Sequence, residues 1–273
     1  MPDVRAPAKP FLKWAGGKRR LLAQYEPHWP QFEGAYLEPF VGSGAVFFHW
    51  QPQRSHLSDI NPELVNAYQC VRDYLPELEK QLALHRDRHG RDYYYATRSL
   101  SPQDLSPVQR AARLIYLNKT CFNGLYRENS RGEFNVPMGK YKKPSILQSD
   151  VLRAASEALQ GVDVDLAPFW EVGDRAQPGD FVYFDPPYYP LNATSRFTAY
   201  TRHAFGDAEQ VQLRDLFATF RERGILAAVS NSDCPQVREL YAEFRSIEIS
   251  AERAINSKGD RRGRIGELLV LNY

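Results

Sequence analysis

Two rhythms alternate along this chain: short apolar runs that stop at a carboxylate or a glycine turn, and longer stretches with helical spacing. The first short run, Ala35-Tyr36-Leu37-Glu38, ends at Pro39 and the turn Phe40-Val41-Gly42-Ser43-Gly44. Ala45-Val46-Phe47-Phe48 then opens a helix, and Ser55-His56-Leu57-Ser58-Asp59 reads as a second strand ending on a carboxylate. Together they make a βαβ unit with an acidic residue roughly 20 positions beyond the first strand. Upstream, residues 18–28 read as a short helix after the Gly16-Gly17 turn.

From residue 61 to residue 144 the strand signals vanish. Residues 62–74 and 76–88 carry helical patterning, and Ser106-Pro107-Val108-Gln109 is a capping box with proline at the first helical position, opening a helix to Leu117. Residues 118–144 are rich in Gly, Asn and Arg. Connections of that length are usually functional or disordered, and Phe122, Tyr126, Phe134 and Tyr141 argue for order. The α/β rhythm returns at Phe181-Val182-Tyr183-Phe184, apolar enough for a parallel strand covered on both faces. A helix over residues 207–223, a strand over 225–230, a short helix near 237–244 and a terminal strand pair (245–250 and 267–272) around the basic loop 258–264 complete the pattern. The expected fold is one α/β domain, residues 1–61 and 147–273, interrupted by a mainly helical insertion, residues 62–146.

Composition narrows the class without deciding it. With 273 residues, 43% of them hydrophobic and 25% charged, the chain is an ordinary soluble globular protein. No apolar run approaches the roughly 20 residues of a membrane span, and Met1-Pro2-Asp3-Val4-Arg5 lacks the apolar segment of a secretory signal. A cytoplasmic protein is expected. Cys70, Cys121 and Cys234 show no Cys-x-x-Cys spacing, and His85 and His89 lack the intervening glutamate of a zinc helix, so no metal is expected. The net charge of +2 does not by itself announce nucleic-acid binding. Basic residues nevertheless gather at Lys13, Lys18, Arg19 and Arg20, at Lys140, Lys142 and Lys143, and at Arg261, Arg262 and Arg264, patches that could meet phosphates.

Asp185-Pro186-Pro187-Tyr188 carries the most specific chemistry. It follows the 181–184 strand, at the carboxyl edge where open α/β sheets bind ligands. The two prolines lack N–H donors and stiffen the chain, so the Asp185 and Pro186 carbonyls join the Asp185 carboxylate in an all-acceptor cluster. Such a cluster asks for a donor such as an exocyclic NH2, and Tyr188 offers a face for a heteroaromatic ring. The plainer alternative is a strand ending in an Asx-Pro turn. Gly16-Gly17-Lys18 is no phosphate loop, because Arg19 stands where Ser or Thr is needed and Leu12 where glycine is needed. The 40–44 turn lacks the full G-x-G-x-x-G, which disfavours a dinucleotide. A cofactor with a ribose for the Asp59 carboxylate and no obligatory phosphate fits, and S-adenosylmethionine meets that description. Beside the acceptor cluster it implies methylation of an exocyclic amine.

The chain resembles the DNA adenine N6-methyltransferases of the Dam type, the D12 class, with the alpha-group order of motifs. The carriers are Phe11-Leu12-Lys13-Trp14-Ala15-Gly16-Gly17-Lys18, Glu38-Pro39-Phe40-Val41-Gly42-Ser43-Gly44, Asp59-Ile60-Asn61 and Asp185-Pro186-Pro187-Tyr188. Phe122-Asn123-Gly124-Leu125-Tyr126-Arg127, Gly132-Glu133-Phe134-Asn135-Val136-Pro137 and Gly139-Lys140-Tyr141-Lys142-Lys143-Pro144 are similar to the family's target-recognition segment, and Phe197-Thr198-Ala199-Tyr200 also matches.

The resemblance implies a Rossmann-like S-adenosylmethionine-dependent methyltransferase fold with an inserted, mainly helical DNA-recognition domain. It places the methyl donor, S-adenosylmethionine, at Trp14, Lys18, Phe40, Gly42, Gly44, Asp59 and Asp185. Catalysis falls to Asp185, Pro186, Pro187 and Tyr188, acting on an adenine flipped from duplex DNA. Contacts to double-stranded DNA are implied for Lys13, Phe122, Asn123, Leu125, Arg127, Pro137 and Tyr141, with GATC as the target. Phe122 stands where close relatives carry tyrosine, keeping the aromatic wedge and losing a hydroxyl. For Leu125 and Pro137 the plainer alternative is loop packing, and for Arg127 a surface ion pair. A monomer associated with the nucleoid is expected; repair marking, replication control, restriction-modification and phage defence evasion all use the same catalytic parts, so the role stays open. The rivals are an adenine methyltransferase of other DNA specificity, an RNA- or protein-amide methyltransferase, and a non-catalytic DNA-binding module.

Overall fold

Seven strands form a single sheet in the computed structural model of this chain: Tyr36–Glu38 (β1), Ser55–Asp59 (β2), Asp163–Leu166 (β3), Phe181–Phe184 (β4), Leu226–Ser232 (β5), Arg245–Ala251 (β6) and Ile265–Leu271 (β7). The structure describes residues 7–190, 205–251 and 265–273. Phe197-Thr198-Ala199-Tyr200 and the basic residues Arg261, Arg262 and Arg264 lie outside the described residues. The spatial order is β3-β2-β1-β4-β5-β7-β6. β1 to β5 run parallel, and β7 lies antiparallel between β5 and β6.

That order creates the crevice. The chain builds outward from β1 through β2 to β3, then returns to lay β4 on the other side of β1. The direction of winding therefore reverses between β1 and β4, and loops leaving their carboxyl ends diverge to either side. Both strands are wholly buried. Alternation along β4 sends Phe181 and Tyr183 into one hydrophobic core and Val182 and Phe184 into the other. Helices Pro62–Asp73, Pro107–Thr120 and Ser149–Leu159 cover the first face, whereas Asp207–Glu222 and Pro235–Leu240 cover the second. No helix among the described residues is long and apolar enough to cross a membrane.

The central register is pinned at the amino ends of β1 and β4. Asp180, buried, accepts Ala35 N–H at 2.6 Å on one carboxylate oxygen and Gln177 N–H at 2.8 Å on the other. Gly34 N–H donates to Gly179 O at 3.0 Å, and a Cβ on Gly34 would run into the Asp180 carboxylate. Tyr36 thereby faces Phe181, which fixes where Asp185 emerges relative to the 40–44 turn.

Several expectations need correction. Residues 18–28 do not form one helix but three pieces, the 3-10 turn Lys18–Arg20, the single α-turn Leu22–Tyr25 and the 3-10 turn Glu26–His28. Pro27, which removes an N–H and cannot follow an α-helical turn without a clash, sits at the last break. The helix near 237–244 is the shorter Pro235–Leu240. Helices Arg91–Ser99 and Ser149–Leu159 and strand β3 carried no clear expectation. Arg91–Ser99 buries only Tyr94 and Thr97, and β3 buries only Val164 between two aspartates. Asp165 there is held by His56 Nε2 and by Arg175 Nη2, both at 2.9 Å. The capping box forms as expected, with Ser106 Oγ accepting Gln109 N–H at 3.3 Å and Gln109 Oε1 accepting Ser106 N–H at 3.0 Å. Residues 121–138 are tied by isolated bridges between Cys121 and Met138 and between Glu128 and Phe134.

Asp180→Ala leaves two N–H groups at the head of the central strands without their acceptor. A loss of about 1–3 kcal/mol is expected in urea unfolding; an unchanged midpoint would mean that side-chain packing alone holds the register.

Candidate active site and nucleic-acid interface

Asp185 leaves β4 at the crevice and is clamped from two sides. Its Oδ1 accepts from Lys18 Nζ at 2.6 Å and from Ser230 Oγ at 2.8 Å. Ser230, on neighbouring β5, is fully buried and also lies 3.0 Å from the Tyr183 hydroxyl. The next residues are held as firmly. Gln210 Nε2 donates to Pro187 O at 3.1 Å, Asn231 Nδ2 to Gln210 Oε1 at 3.0 Å, and Tyr189 N–H to Asn231 Oδ1 at 2.9 Å. Pro186 is buried and Pro187 exposed. Ser230, Asn231 and Gln210 were not expected at the site; the available signal was a run of polar residues, Ser230-Asn231-Ser232, ending an otherwise apolar strand.

Lys18 departs from the surface patch to which its sequence neighbours assigned it. It is 3% exposed, and its ammonium also donates to Gly16 O at 2.7 Å and sits 4.6 Å from the centre of the Tyr188 ring. A buried ammonium is tolerated only with an anion and further acceptors around it. Two more carboxyls stand nearby. Glu38 accepts from the Tyr36 hydroxyl at 2.9 Å, and burial, reinforced by the Asp185 charge, pushes its carboxyl up to about 8. Glu267, on β7, accepts from the Tyr25 hydroxyl, and burial raises its carboxyl too.

The glycine turn closes the other wall. Gly42 (φ +47°) and Gly44 (φ +64°) occupy the left-handed region, and a Cβ on Gly42 would lie 2.9 Å from Trp14 Cδ1. The indole of Trp14 stacks on Tyr126 with ring centres 5.3 Å apart. Asp59 joins the turns after β1 and β2, its Oδ2 accepting Gly42 N–H at 3.2 Å and its Oδ1 accepting Asn61 N–H at 3.0 Å. Burial pushes the Asp59 carboxyl up to about 6. Phe40 stacks on Phe169 at 5.3 Å. Ile60 and Leu166, both exposed, flank Asp59, with Leu166 its register partner on β3. This apolar lip was not foreseen; two large hydrophobics exposed at strand ends are its signal.

The expected DNA-facing residues gather on one loop cluster stitched to the segment before Trp14. Buried Asn118 accepts Lys13 N–H at 2.8 Å and donates to Lys13 O at 2.7 Å and Gly124 O at 3.0 Å. Asn123 (φ +55°) and Gly124 (φ +66°) turn the chain, and a side chain at Gly124 would collide with Lys13. Lys13 Nζ reaches the Tyr141 hydroxyl at 3.4 Å and lies 4.8 Å from its ring centre. Arg127 Nε donates to Asn135 Oδ1 at 2.6 Å, and Phe122 N–H to Pro137 O at 2.8 Å. Tyr94 and Arg98 both donate to Val136 O, at 2.9 and 3.2 Å, fixing the approach to Pro137. Phe122 is 51% exposed, and Lys13, Arg127, Pro137 and Tyr141 are exposed as well. Leu125 is half-buried and packs against the core.

The Glu38 carboxyl gives this site a signature in stability. Raised on folding, it adds stability that is whole below the ordinary carboxylate range and lost as pH rises through about 8. Glu38→Gln removes that titration. Its stability relative to the parent is expected to climb between about pH 5 and pH 8 and to level off above; parallel stability curves from denaturant titrations across this window would contradict the assignment.

Residues 14–255 match the family of D12 class N6 adenine-specific DNA methyltransferases. The chain is 41% identical to the type II methyltransferase M1.LlaDCHI of Lactococcus lactis subsp. cremoris, over 97% of this chain and 95% of the relative. It is equally 41% identical to the type II methyltransferase M.MjaIII of Methanocaldococcus jannaschii, over 97% and 99%. With the DNA adenine methylase of Haemophilus influenzae it shares 36% identity, over 96% and 93%. A match of this length, falling on a chain whose Asp185-Pro186-Pro187-Tyr188 leaves β4 at the crevice, establishes that the protein belongs to the D12 class of N6 adenine-specific DNA methyltransferases.

Proposed function

We propose that the protein methylates N6 of an adenine flipped out of duplex DNA, at the sequence GATC. The observation that carries the reading is the placement of the Asp185-Pro186-Pro187-Tyr188 acceptors at the carboxyl end of β4, across the crevice from the Gly42 and Gly44 turn. S-adenosylmethionine, the donor that the family implies, supplies an electrophilic methyl group when bound. The residues present suit it: Asp59 offers carboxylate oxygens to a ribose, Ile60 and Leu166 offer an apolar lip to an adenine ring, and the glycine turn lets backbone approach closely.

In this reading the Asp185 carboxylate and the Pro186 carbonyl accept from the N6 hydrogens while the Tyr188 ring stacks on the base. Accepting from both hydrogens would draw the nitrogen lone pair out of conjugation and toward the methyl group; on transfer the donor would leave as a neutral thioether and one N6 hydrogen would be lost as a proton to solvent. Positioning and fixed dipoles supply the acceleration. Ser230 and the Gln210–Asn231 chain hold the acceptors in place. Recognition is assigned to residues 62–146 together with Lys13, and catalysis to residues 1–61 and 147–273. Arg127 suits the O6 and N7 of a guanine, Lys13 a second guanine, and Leu125 and Pro137 a thymine methyl. A second reading keeps the adenine and changes the surrounding bases; identity to two type II methyltransferases, at 41%, is higher than the 36% to the DNA adenine methylase of Haemophilus influenzae.

Duplexes containing GATC, or the same bases permuted, incubated with S-adenosylmethionine and assayed for N6-methyladenine decide between the two. Methylation confined to GATC supports the first reading; preference for another sequence supports the second. Asp185→Ala is expected to abolish turnover while retaining the fold and most DNA affinity, and wild-type turnover would remove the assigned mechanism. Arg127→Ala is expected to relax discrimination at one guanine by about 1–3 kcal/mol in competition assays; an unaltered preference would remove Arg127 from the readers.

A further inference from the structure

Lys18 occupies what the target base needs. Its ammonium is bonded to Asp185 Oδ1 and covers one face of the Tyr188 ring. An adenine whose amine docks on that oxygen and whose ring stacks on that face of Tyr188 competes with it for both. Lys18 is almost completely buried, so it cannot simply be released into the protein interior without an anion. Gly16 O remains as one acceptor but carries no charge.

We propose that Glu267 is a positioning residue for methyl transfer, the counter-charge that receives Lys18 when the target amine takes Asp185. The inference rests on the assignment of Asp185 to the adenine amine. Glu267 is 6% exposed and sits on β7 opposite Ser232 of β5, so the two side chains share a face of the sheet with Ser230, the hydroxyl partner of Asp185. The Tyr25 hydroxyl donates to its carboxylate, which leaves that carboxylate further lone pairs. Burial raises its carboxyl, and the Lys18 ammonium opposes that rise by favouring the charged form.

Tyr188 joins the two positions. Its ring lies under the Lys18 ammonium, while its hydroxyl lies buried beside Glu267 without a hydrogen bond of standard geometry. The ring face thus spans the path from Asp185 to Glu267. Glu38 is a poorer receiver: burial raises both carboxyls, but it lifts that of Glu38 to about 8, which keeps it largely protonated near neutrality.

Glu267→Gln keeps an acceptor for Tyr25 and removes the charge. In single-turnover assays of the full chain with S-adenosylmethionine and duplex DNA, it is expected to slow methyl transfer at least about tenfold, with DNA affinity unchanged. In a Lys18→Met background the same change is expected to cost nothing further, since the charge then has nothing to receive. Glu267→Asp is expected to restore part of the rate. Without methyl donor, a duplex carrying 2-aminopurine at the target position is expected to show a smaller fluorescence change with Glu267→Gln than with the parent. A parent-like rate and fluorescence for Glu267→Gln would overturn the proposal. So would losses that multiply with Lys18→Met, or equal losses in the Gln and Asp variants accompanied by lowered melting temperature, which mark a merely structural role. Absence of adenine methylation by the parent is a separate outcome: it defeats the reading of Asp185 first, and this inference with it.

Discussion

A buried ammonium at the point where the sheet reverses direction is the constraint around which the crevice is organised. Lys18 cannot be solvated where it lies, so it draws Asp185 to itself and rests on the Tyr188 ring. Buried ion pairs of this kind add little net stability over an apolar core of the same shape. What the pair does is hold the Asp185 carboxylate at a defined place and orientation in the absence of any ligand. Ser230 behind it and the Gln210–Asn231 chain below it complete that hold. The arrangement also gathers three carboxyl groups about one cation, which is tolerable because burial keeps Glu38 largely protonated at neutral pH.

Sheet topology explains why these groups meet at all. Lys18, Asp185 and Glu267 are separated by most of the chain, and each arrives from a different part of the fold: a 3-10 turn before β1, the end of β4, and antiparallel β7. Laying β4 beside β1 brings the first two together. Inserting β7 between β5 and β6 brings the third against β5.

Which of this was legible in the sequence follows from the range of the interactions. Strands β1, β2 and β4 were readable because their apolar runs are bounded by Pro39, Asp59 and Asp185, and the Ser106 capping box because its two hydrogen bonds span three residues. β3 was not, since it buries only Val164 and its two aspartates face solvent, which leaves no apolar run to read. The 18–28 segment misled because local apolar spacing competes there with Pro27 and with a lysine whose partner lies far along the chain. Similarly, the residue types at Asp185 and Tyr188 mark a candidate acceptor site, whereas Ser230, Asn118 and Glu267 look ordinary in sequence. Their importance comes from what the fold sets beside them.

Adjacent residues of one segment serve both halves of the crevice. Trp14 lies against the Gly42 turn, on the side assigned to the methyl donor, and its indole stacks on Tyr126. Lys13, the preceding residue, is held by Asn118 against Gly124 and leans on Tyr141, on the side assigned to DNA. Tyr126 in turn stands between Leu125 and Arg127, two of the assigned base readers. Asn118 ties Lys13 to Gly124 while Trp14 stacks on Tyr126, so two adjacent residues of one segment each hold a nearby residue of the other. Trp14 and Arg127 are thus separated by one stacked ring, that of Tyr126, rather than by the width of the sheet.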